Sequence, residues 1–253
     1  RPCNQYTLKQ ACEKNGIRFL STPYNEEDAD LLERLGVDAY KIASGQLVEP
    51  SFLEHVAKKG KQMIISTGMG TLSEAFDAVK TIRNAGNHDI VVLQCTTNYP
   101  SPIEDANLRT MTAMKEALGV RVGYSDHVEE NYACFAAVAM GAEVIEKHFT
   151  LDRTMEGPDH EASLDKEGFT ELVHGIRSIE TALGSSVKQP TDRERKNMTG
   201  MRRSIVLNCN LQAGERIRED MIIFKRPATG LPPKMKTSIR SVVRDFGIAL
   251  PED

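Results

Sequence analysis

The sequence predicts an α/β fold, with a parallel sheet closed as a (β/α)8 barrel and a small β-rich module behind it. Three observations predict this fold. Short apolar strands recur after helices that end at glycine, polar residues follow each strand, and the pattern changes after Gly184.

The strands recur at intervals of roughly 20–30 residues, which is typical of parallel strands joined by helices. Glycine just beyond a helix end adopts the left-handed conformation that closes many helices, and Gly16 and Gly36 are the first examples. The predicted strands are Ile17–Leu20, Ala39–Ile42, Met63–Ile65, Ile90–Leu93, Arg121–Gly123 and Val144–Ile145. Their Val, Ile and Leu content indicates burial on both faces.

The predicted helices between these strands are amphipathic. Residues 28–35 place leucines on one face, and residues 73–82 place Phe76, Val79 and Ile82 at helical spacing. A helix over residues 6–15 leads into the first predicted strand. No GxGxxG motif follows that strand, so a dinucleotide-binding fold has no direct support.

Polar residues occupy the carboxyl end of all six predicted strands. These strand ends are residues 21–24, 41–46, 66–69, 95–99, 125–127 and 146–148. In a closed barrel all of them meet on one face, where active sites are built, whereas in an open sheet only those near a switch point converge. The barrel is therefore favoured. It needs eight strands, so we expect two more before Arg1.

The pattern changes after Gly184. We expect a barrel domain over residues 1–184, incomplete at its amino end, and a polar linker over residues 185–200. A β-rich module is expected over residues 201–253, with strands at 204–207 and 221–224.

The bulk composition excludes several classes of protein. The net charge of −4 argues against a general nucleic-acid binder, and no apolar run is long enough for a membrane span. The five cysteines are scattered, which favours a reducing, cytoplasmic setting over a disulfide framework.

Two histidines stand at successive strand ends, and this placement predicts a metal site. His127 and His148 would face one another across the barrel mouth, where two imidazoles suit Mn²⁺, Fe²⁺ or Zn²⁺. Asp126, Glu146 and Asp159 are near in sequence and are expected to orient these ligands or bind metal-held water.

A cation and several hydroxyls at neighbouring strand ends predict an anion site. Lys41 lies on a strand that should be buried, so it needs a partner, and Ser44, Ser66 and Ser125 are short donors close by. This combination suits a phosphate or phosphoenol group.

Six ordered motifs resemble those of the N-acetylneuraminate (sialic acid) synthase family. They are KIASGQ (41–46), ISTGM (65–69), QCTTNYP (94–100), GYSDH (123–127), EKHFTLD (146–152) and GPDHEASL (157–164). The tail, with KRPATG at 225–230, resembles the antifreeze-like (SAF) domain of these enzymes. The resemblance covers nearly the whole chain from Ile17.

The resemblance implies a TIM barrel with a C-terminal SAF domain in a domain-swapped homodimer. The implied reaction is a transferase-type condensation of phosphoenolpyruvate with an N-acetylated hexosamine. Its product would be a nine-carbon 3-deoxy-2-keto sugar acid, released with phosphate. A divalent metal is implied at His127 and His148, with Mn²⁺ expected first and Mg²⁺ or Co²⁺ as alternatives.

The resemblance also implies a role for each matched residue. Phosphoenolpyruvate would contact Lys41, Ser44, Ser66, Thr97 and Ser125, with Thr22 and Tyr24 nearby. The sugar would contact Tyr99 and Asp159, and Arg226 would reach its N-acetyl group from the partner subunit. The catalytic group would comprise Lys41, Gln46, Glu146 and Asp159.

One departure from the family pattern bears on the chemistry. Gln46 stands where members often have Glu or Asp, and glutamine cannot act as a base, so we expect it only to hydrogen-bond the sugar or intermediate. A truncated, non-catalytic homologue that serves as a scaffold or binding module is the alternative function. Another metal-dependent barrel enzyme, such as an aldolase, is a third. The acceptor sugar stays open among N-acetylmannosamine, its 6-phosphate and diacetamido sugars.

Overall fold

A computed structural model describes residues 2–238 of the chain. The chain divides into two compact units, residues 1–184 and residues 185–253. The last fifteen or so residues of the predicted β-rich module, 239–253, lie outside the described part.

Strands and helices alternate through the first unit, which is the order that parallel α/β folds require. Its elements are α1 (Pro2–Lys14), α2 (Glu26–Leu35), β1 (Ala39–Ile42), α3 (Pro50–Ala57), β2 (Gln62–Ser66), α4 (Leu72–Asn84), β3 (Ile90–Cys95), α5 (Arg109–Leu118), β4 (Arg121–Asp126), α6 (Tyr132–Ala139), β5 (Ile145–Lys147) and α7 (Lys166–Leu183). The helices predicted at 6–15, 28–35 and 73–82 correspond to α1, α2 and α4.

The described part of the first unit contains a five-stranded parallel sheet in the order β1-β2-β3-β4-β5. Each strand pairs with the next one in sequence, as in half of a barrel. All five strands were predicted, and the α/β class is confirmed. The closure into eight strands stays a prediction.

The prediction of a strand at Ile17–Leu20 is wrong. This segment has no regular secondary structure, and the side chain of Ile17 is 62% exposed. A strand needs a hydrogen-bonding neighbour as well as apolar residues, and no ladder to this segment is present among the described residues.

A short parallel bridge that the sequence did not predict continues the sheet beyond β5. Phe149 pairs with Leu164, and the backbone N–H of Leu164 donates to the His148 carbonyl at 3.0 Å. This bridge holds the end of β5 against the segment that precedes α7.

Alternation along the strands divides the buried side chains between two faces of the sheet. Tyr40, Ile42 and Ile65 belong to the large core that packs against the helices. Ile64, Val91 and Leu93 form a smaller cluster on the other, inward face. Inward residues further along the same strands form the candidate site.

The second unit begins with a helix where we predicted an irregular linker. Helix α8 (Asp192–Met201) follows a capping box in which Thr191 and Glu194 each accept from the other's backbone N–H. The strands β6 (Ser204–Leu207) and β7 (Ile222–Lys225) pair antiparallel, as their predicted positions suggest. Among the described residues, no helix has the length and apolarity needed to cross a membrane.

Candidate active site

Five polar or sulfur-bearing side chains follow the inward cluster at the carboxyl ends of the strands. They are Lys41, Ser66, Cys95, Ser125 and Glu146, one on each strand. Cys95, Ser125 and Glu146 are direct register partners, whereas Ser66 and then Lys41 are each offset by two residues from strand to strand, which keeps them on the same face. Four of these residues were predicted site residues. They form the floor of the candidate site.

Lys41 is a buried cation in this floor. Its Nζ donates to Ser66 Oγ at 2.7 Å and to the Ile42 carbonyl at 3.0 Å, and it lies 3.5 Å from a Glu146 oxygen. Burial lowers the pKa of Lys41, and the nearby Glu146 carboxylate acts in the opposite direction. A buried ammonium is costly unless anionic groups surround it, so this position favours an anionic ligand.

Glu146 connects Lys41 to the next strand. Ser125 Oγ donates to Glu146 Oε1 at 2.8 Å, while the second carboxylate oxygen faces Lys41. The Glu146 side chain is 40% exposed, so solvent reaches the carboxylate. Such a carboxylate can hold and deprotonate a water molecule at the site.

Close backbone packing brings Ser44 and Thr97 to the edge of the floor. Gly68 N–H donates to Ser44 Oγ at 3.0 Å, and Ser44 Oγ lies 3.7 Å from Cys95 Sγ. A Cβ atom at Gly68 would lie 2.5 Å from Thr97 Cγ2 and 2.8 Å from Ser44 Oγ. Only glycine fits this approach without a shift of its neighbours.

Three rings cluster above the floor. The centroid of Tyr99 lies 4.2 Å from that of His127 and 5.6 Å from that of His148, and the two imidazole centroids are 5.2 Å apart. The N–H of Ser101 donates to the His127 carbonyl at 2.8 Å, which ties the Tyr99 loop to β4. The structure therefore brings together both histidines that we predicted to bind metal.

The surroundings of His127 fit a metal ligand. Its Nδ1 lies 2.5 Å from the Thr96 carbonyl, a bond that places the proton on Nδ1 and leaves Nε2 for a ligand. Burial lowers the pKa of His127, so the imidazole stays neutral, as metal binding requires. No group of three or more His, Cys, Asp or Glu side chains suited to a metal occurs within residues 2–238.

The Asp126 side chain does not face the histidines, so it is not placed to bind metal-held water, one of the two roles that we expected for it. Its buried carboxylate points toward the helices, where it pairs with Lys147 at 2.7 Å and accepts from Tyr124 Oη and Cys134 Sγ. Burial raises the pKa of both the Tyr124 phenol and the Cys134 thiol, and the Asp126 charge adds to this. The reason is alternation: a strand that turns His127 inward turns its neighbour Asp126 outward.

Gln46 is buried with both ends of its amide engaged by backbone. Nε2 donates to the Pro23 carbonyl at 3.0 Å, and Oε1 accepts from the Ala43 N–H at 3.3 Å. The structure thus uses Gln46 to hold the segment that contains Thr22 and Tyr24, and does not bring it into the polar floor.

The remaining predicted residues lie at the periphery or in the second unit. Burial raises the pKa of Tyr99, and the nearby Cys95, Asp159 and Glu146 act in the same direction, which places these groups within electrostatic reach of the phenol. Arg226 lies in the second unit, where it lines a cavity of about 600 Å³.

Comparison with known proteins identifies relatives over most of the chain. A family model described as the NeuB family matches residues 3–188. The chain is 48% identical to the uncharacterized protein MJ1065 of Methanocaldococcus jannaschii, over 90% of this chain and 68% of that protein. It is 42% identical to the N,N'-diacetyllegionaminic acid synthase of Campylobacter jejuni, over 87% of this chain and 66% of that enzyme.

A solved structure agrees with these relatives. The N-acetylneuraminic acid (sialic acid) synthetase of Leptospira borgpetersenii superposes with a TM-score of 0.74 at 32% identity, covering 78% of this chain and 69% of that one. The chain spans 66–68% of the length of the two curated relatives above.

Proposed function

Because the chain belongs to the NeuB family, we propose that it condenses phosphoenolpyruvate with an N-acetylated amino sugar. The products are a nine-carbon 3-deoxy-2-keto acid and phosphate. The observation that supports this most is the buried Lys41 ammonium on the inward face, hydrogen-bonded to Ser66 and close to Glu146. The names of the relatives, legionaminic and sialic acid synthases, support it independently.

In this proposal the anionic end of phosphoenolpyruvate lies over the polar floor. Lys41 supplies the positive charge, and hydroxyls supply directed donors, which together suit phosphate and carboxylate oxygens. The contacting residues are Lys41, Ser44, Ser66, Thr97 and Ser125. The sugar lies toward Tyr99 and Asp159, at the exposed rim of the site.

We further propose that His127 and His148 hold a divalent cation, Mn²⁺ first. When bound, such a cation supplies Lewis-acid polarisation of the open-chain sugar aldehyde. His127 is prepared for this role by its bond to Thr96 and its lowered pKa.

Glu146 has the central proton-transfer role in the proposed reaction. Carbon 3 of phosphoenolpyruvate forms a bond to the aldehyde carbon, the carbonyl π electrons move to the aldehyde oxygen, and cationic character is left at carbon 2. A water molecule held by Glu146 adds to carbon 2 and gives one proton to the carboxylate, which passes it to the aldehyde oxygen and so forms the new hydroxyl. The bond from carbon 2 to the phosphate oxygen then breaks, the departing phosphate takes the proton of the carbon-2 hydroxyl, and the 2-keto acid forms, while Lys41 stabilises the phosphate charge.

Arg226 enters the proposal from the second unit. It lines the cavity there beside Arg202, Arg203 and Lys234, so this surface is cationic. We propose that a second copy of the chain presents Arg226 to the N-acetyl group of the sugar, in a homodimer.

Phosphate release tests the proposed reaction. The protein is incubated with Mn²⁺, phosphoenolpyruvate and a panel of N-acetylmannosamine, its 6-phosphate and diacetamido sugars. We expect release that requires both phosphoenolpyruvate and one sugar. Lys41→Met should abolish it, whereas Lys80→Met, at an exposed position of α4, should retain it. A folded, metal-binding protein that releases no phosphate with any sugar would favour the non-catalytic scaffold.

A further inference from the structure

A buried ion pair lies directly behind the two histidines. Lys147 Nζ donates to Asp126 Oδ2 at 2.7 Å, and the two side chains are 1% and 0% exposed. They are register partners on β5 and β4, and they directly precede His148 and His127 in sequence. The pair therefore joins the strands at the level where both imidazoles emerge.

The pair also fastens the turn that leaves β4. Lys147 Nζ donates to the carbonyls of Val128, at close range, and Glu130, at 3.2 Å. Asp126 Oδ1 accepts from the Val128 N–H at 3.0 Å and from Tyr124 Oη at 2.8 Å. Each charged group is thus surrounded by directed partners, and three of these partners are backbone groups of the turn: the Val128 N–H and the carbonyls of Val128 and Glu130.

Stability alone is a weak reason for such an arrangement. A buried ion pair usually contributes no more than well-packed apolar side chains of similar size, because desolvation offsets the attraction. Directed bonds, in contrast, fix where a strand end lies, and metal ligands must be held to within roughly 0.5 Å of the productive geometry.

We propose that Asp126 and Lys147 are positioning residues that set the separation of the His127 and His148 imidazoles. This inference rests on the proposed function, in which these two rings share a divalent cation. The ion pair acts on them through the backbone of β4 and β5, and touches neither substrate nor metal.

Three variants separate positioning from stability. Lys147→Met removes the ion pair and the hydrogen bonds to the turn carbonyls, and it leaves the Asp126 carboxylate buried without its cation. The double variant Asp126→Asn/Lys147→Met removes both charges and should recover much of the thermal stability, but still lacks donors to the turn carbonyls. Asn87→Ala is the control, because Asn87 is buried at the opposite end of the sheet and donates to the Lys61 carbonyl at 2.7 Å.

Mn²⁺ titration of the full chain is the first measurement. We expect about 10-fold weaker binding or more in Lys147→Met and in the double variant, as is typical when an outer-shell partner is lost. Asn87→Ala should lose thermal stability and retain its Mn²⁺ affinity. Recovery of both stability and affinity in the double variant would overturn the positioning role.

Histidine ring spectra provide a second measurement that needs neither metal nor turnover. In metal-free protein, the ring Cε1–H signals of His127 and His148 are assigned with His→Gln variants. Both signals should move in Lys147→Met and in the double variant, and stay unchanged in Asn87→Ala. Unmoved signals would refute the positioning role whatever the metal result.

These measurements also keep the two proposals distinct. A wild-type protein that binds no Mn²⁺ would defeat the metal assignment, while the ring signals would still decide on positioning. If Lys147→Met does not fold, Tyr124→Phe removes a single hydrogen bond to Asp126, and we expect smaller movements of the same two signals.

Discussion

At the scale of single residues, His127 has the surroundings that best suit a metal ligand. Its Nδ1 bond to Thr96 fixes the ring, and burial keeps the imidazole neutral. We predict that His127→Ala weakens Mn²⁺ binding by more than the roughly 10–100-fold typical of outer-shell losses, with the fold retained. Calorimetric titration measures this, with His174→Ala on the exposed side of α7 as the control. Wild-type affinity in His127→Ala would contradict the assignment.

Gly68 is a second residue whose identity is dictated by its surroundings. An added methyl group would meet Thr97 and Ser44 at 2.5 and 2.8 Å, so both side chains must shift. We predict that Gly68→Ala destabilises the protein by about 1–3 kcal/mol and raises KM for phosphoenolpyruvate. Gly45→Ala provides the matched control, because a Cβ there meets nothing within 4 Å. Denaturant unfolding and kinetics check both, and equal effects at the two glycines would oppose the packing argument.

The polar floor was predictable from the sequence because strand ends in a parallel sheet share one edge. Lys41, Ser66 and Ser125 were placed there by that rule alone. The outward direction of the Asp126 side chain could also be predicted, because side chains alternate along a strand and its neighbours Ser125 and His127 were both expected to point inward. The hydrogen bond from Gln46 to the Pro23 carbonyl could not be predicted, because the two residues lie 23 positions apart in the sequence.

At the scale of secondary-structure elements, α4 shows how local sequence sets a boundary. Thr71 Oγ1 accepts from the Glu74 N–H, and Glu74 accepts from the Thr71 N–H at 2.7 Å. We predict that Thr71→Ala lowers the free energy of unfolding by about 1 kcal/mol, because one end of the capping box is lost. Thr71→Ser, which retains the hydroxyl, should stay close to the wild type in the same urea titration. A loss of similar size in both variants would indicate that the methyl group matters more than the cap.

Elements with local start and stop signals were the ones that the sequence predicted. Helix α2 begins at the Asn25 cap and ends at Gly36 in the left-handed region (φ 73°), and both signals are visible in the sequence. Ile17–Leu20 had the apolar character of a strand but not the neighbour that makes one. Helix α8 was missed because its polar composition resembles a linker, although Thr191 and Glu194 form the signature of a capping box.

At the scale of the whole molecule, closure of the sheet is the part that local patterns do not determine. Each strand can be identified from its own residues, but pairing between distant strands depends on segments far apart in sequence. The described sheet follows chain order throughout, so its five strands required only nearest-neighbour pairing. The division into two units was easier to anticipate, because composition changes where Gly184 ends α7.

This division leads to a prediction about proteolysis. Residues 184–189 lie between α7 and α8, have no regular helix or strand, and are exposed. Proteases cleave where a backbone segment can enter the active site in an extended form, which helical arginines cannot do without local unfolding. We therefore expect trypsin to cut after Lys188 before it cuts after Arg193 or Arg195 in α8. Mass spectrometry of a brief digest identifies the cut.

The matched variant for this digest is Lys188→Gln, which removes the site without altering either unit. It should delay the first cut and move it to another position, while the thermal unfolding of the intact chain stays unchanged. The separated fragments test the independence of the units, because a unit with its own core should keep its helical circular dichroism after cleavage. A first cut within α8 would show that this helix opens more readily than the connection before it. The boundary between the units would then lie nearer to β6.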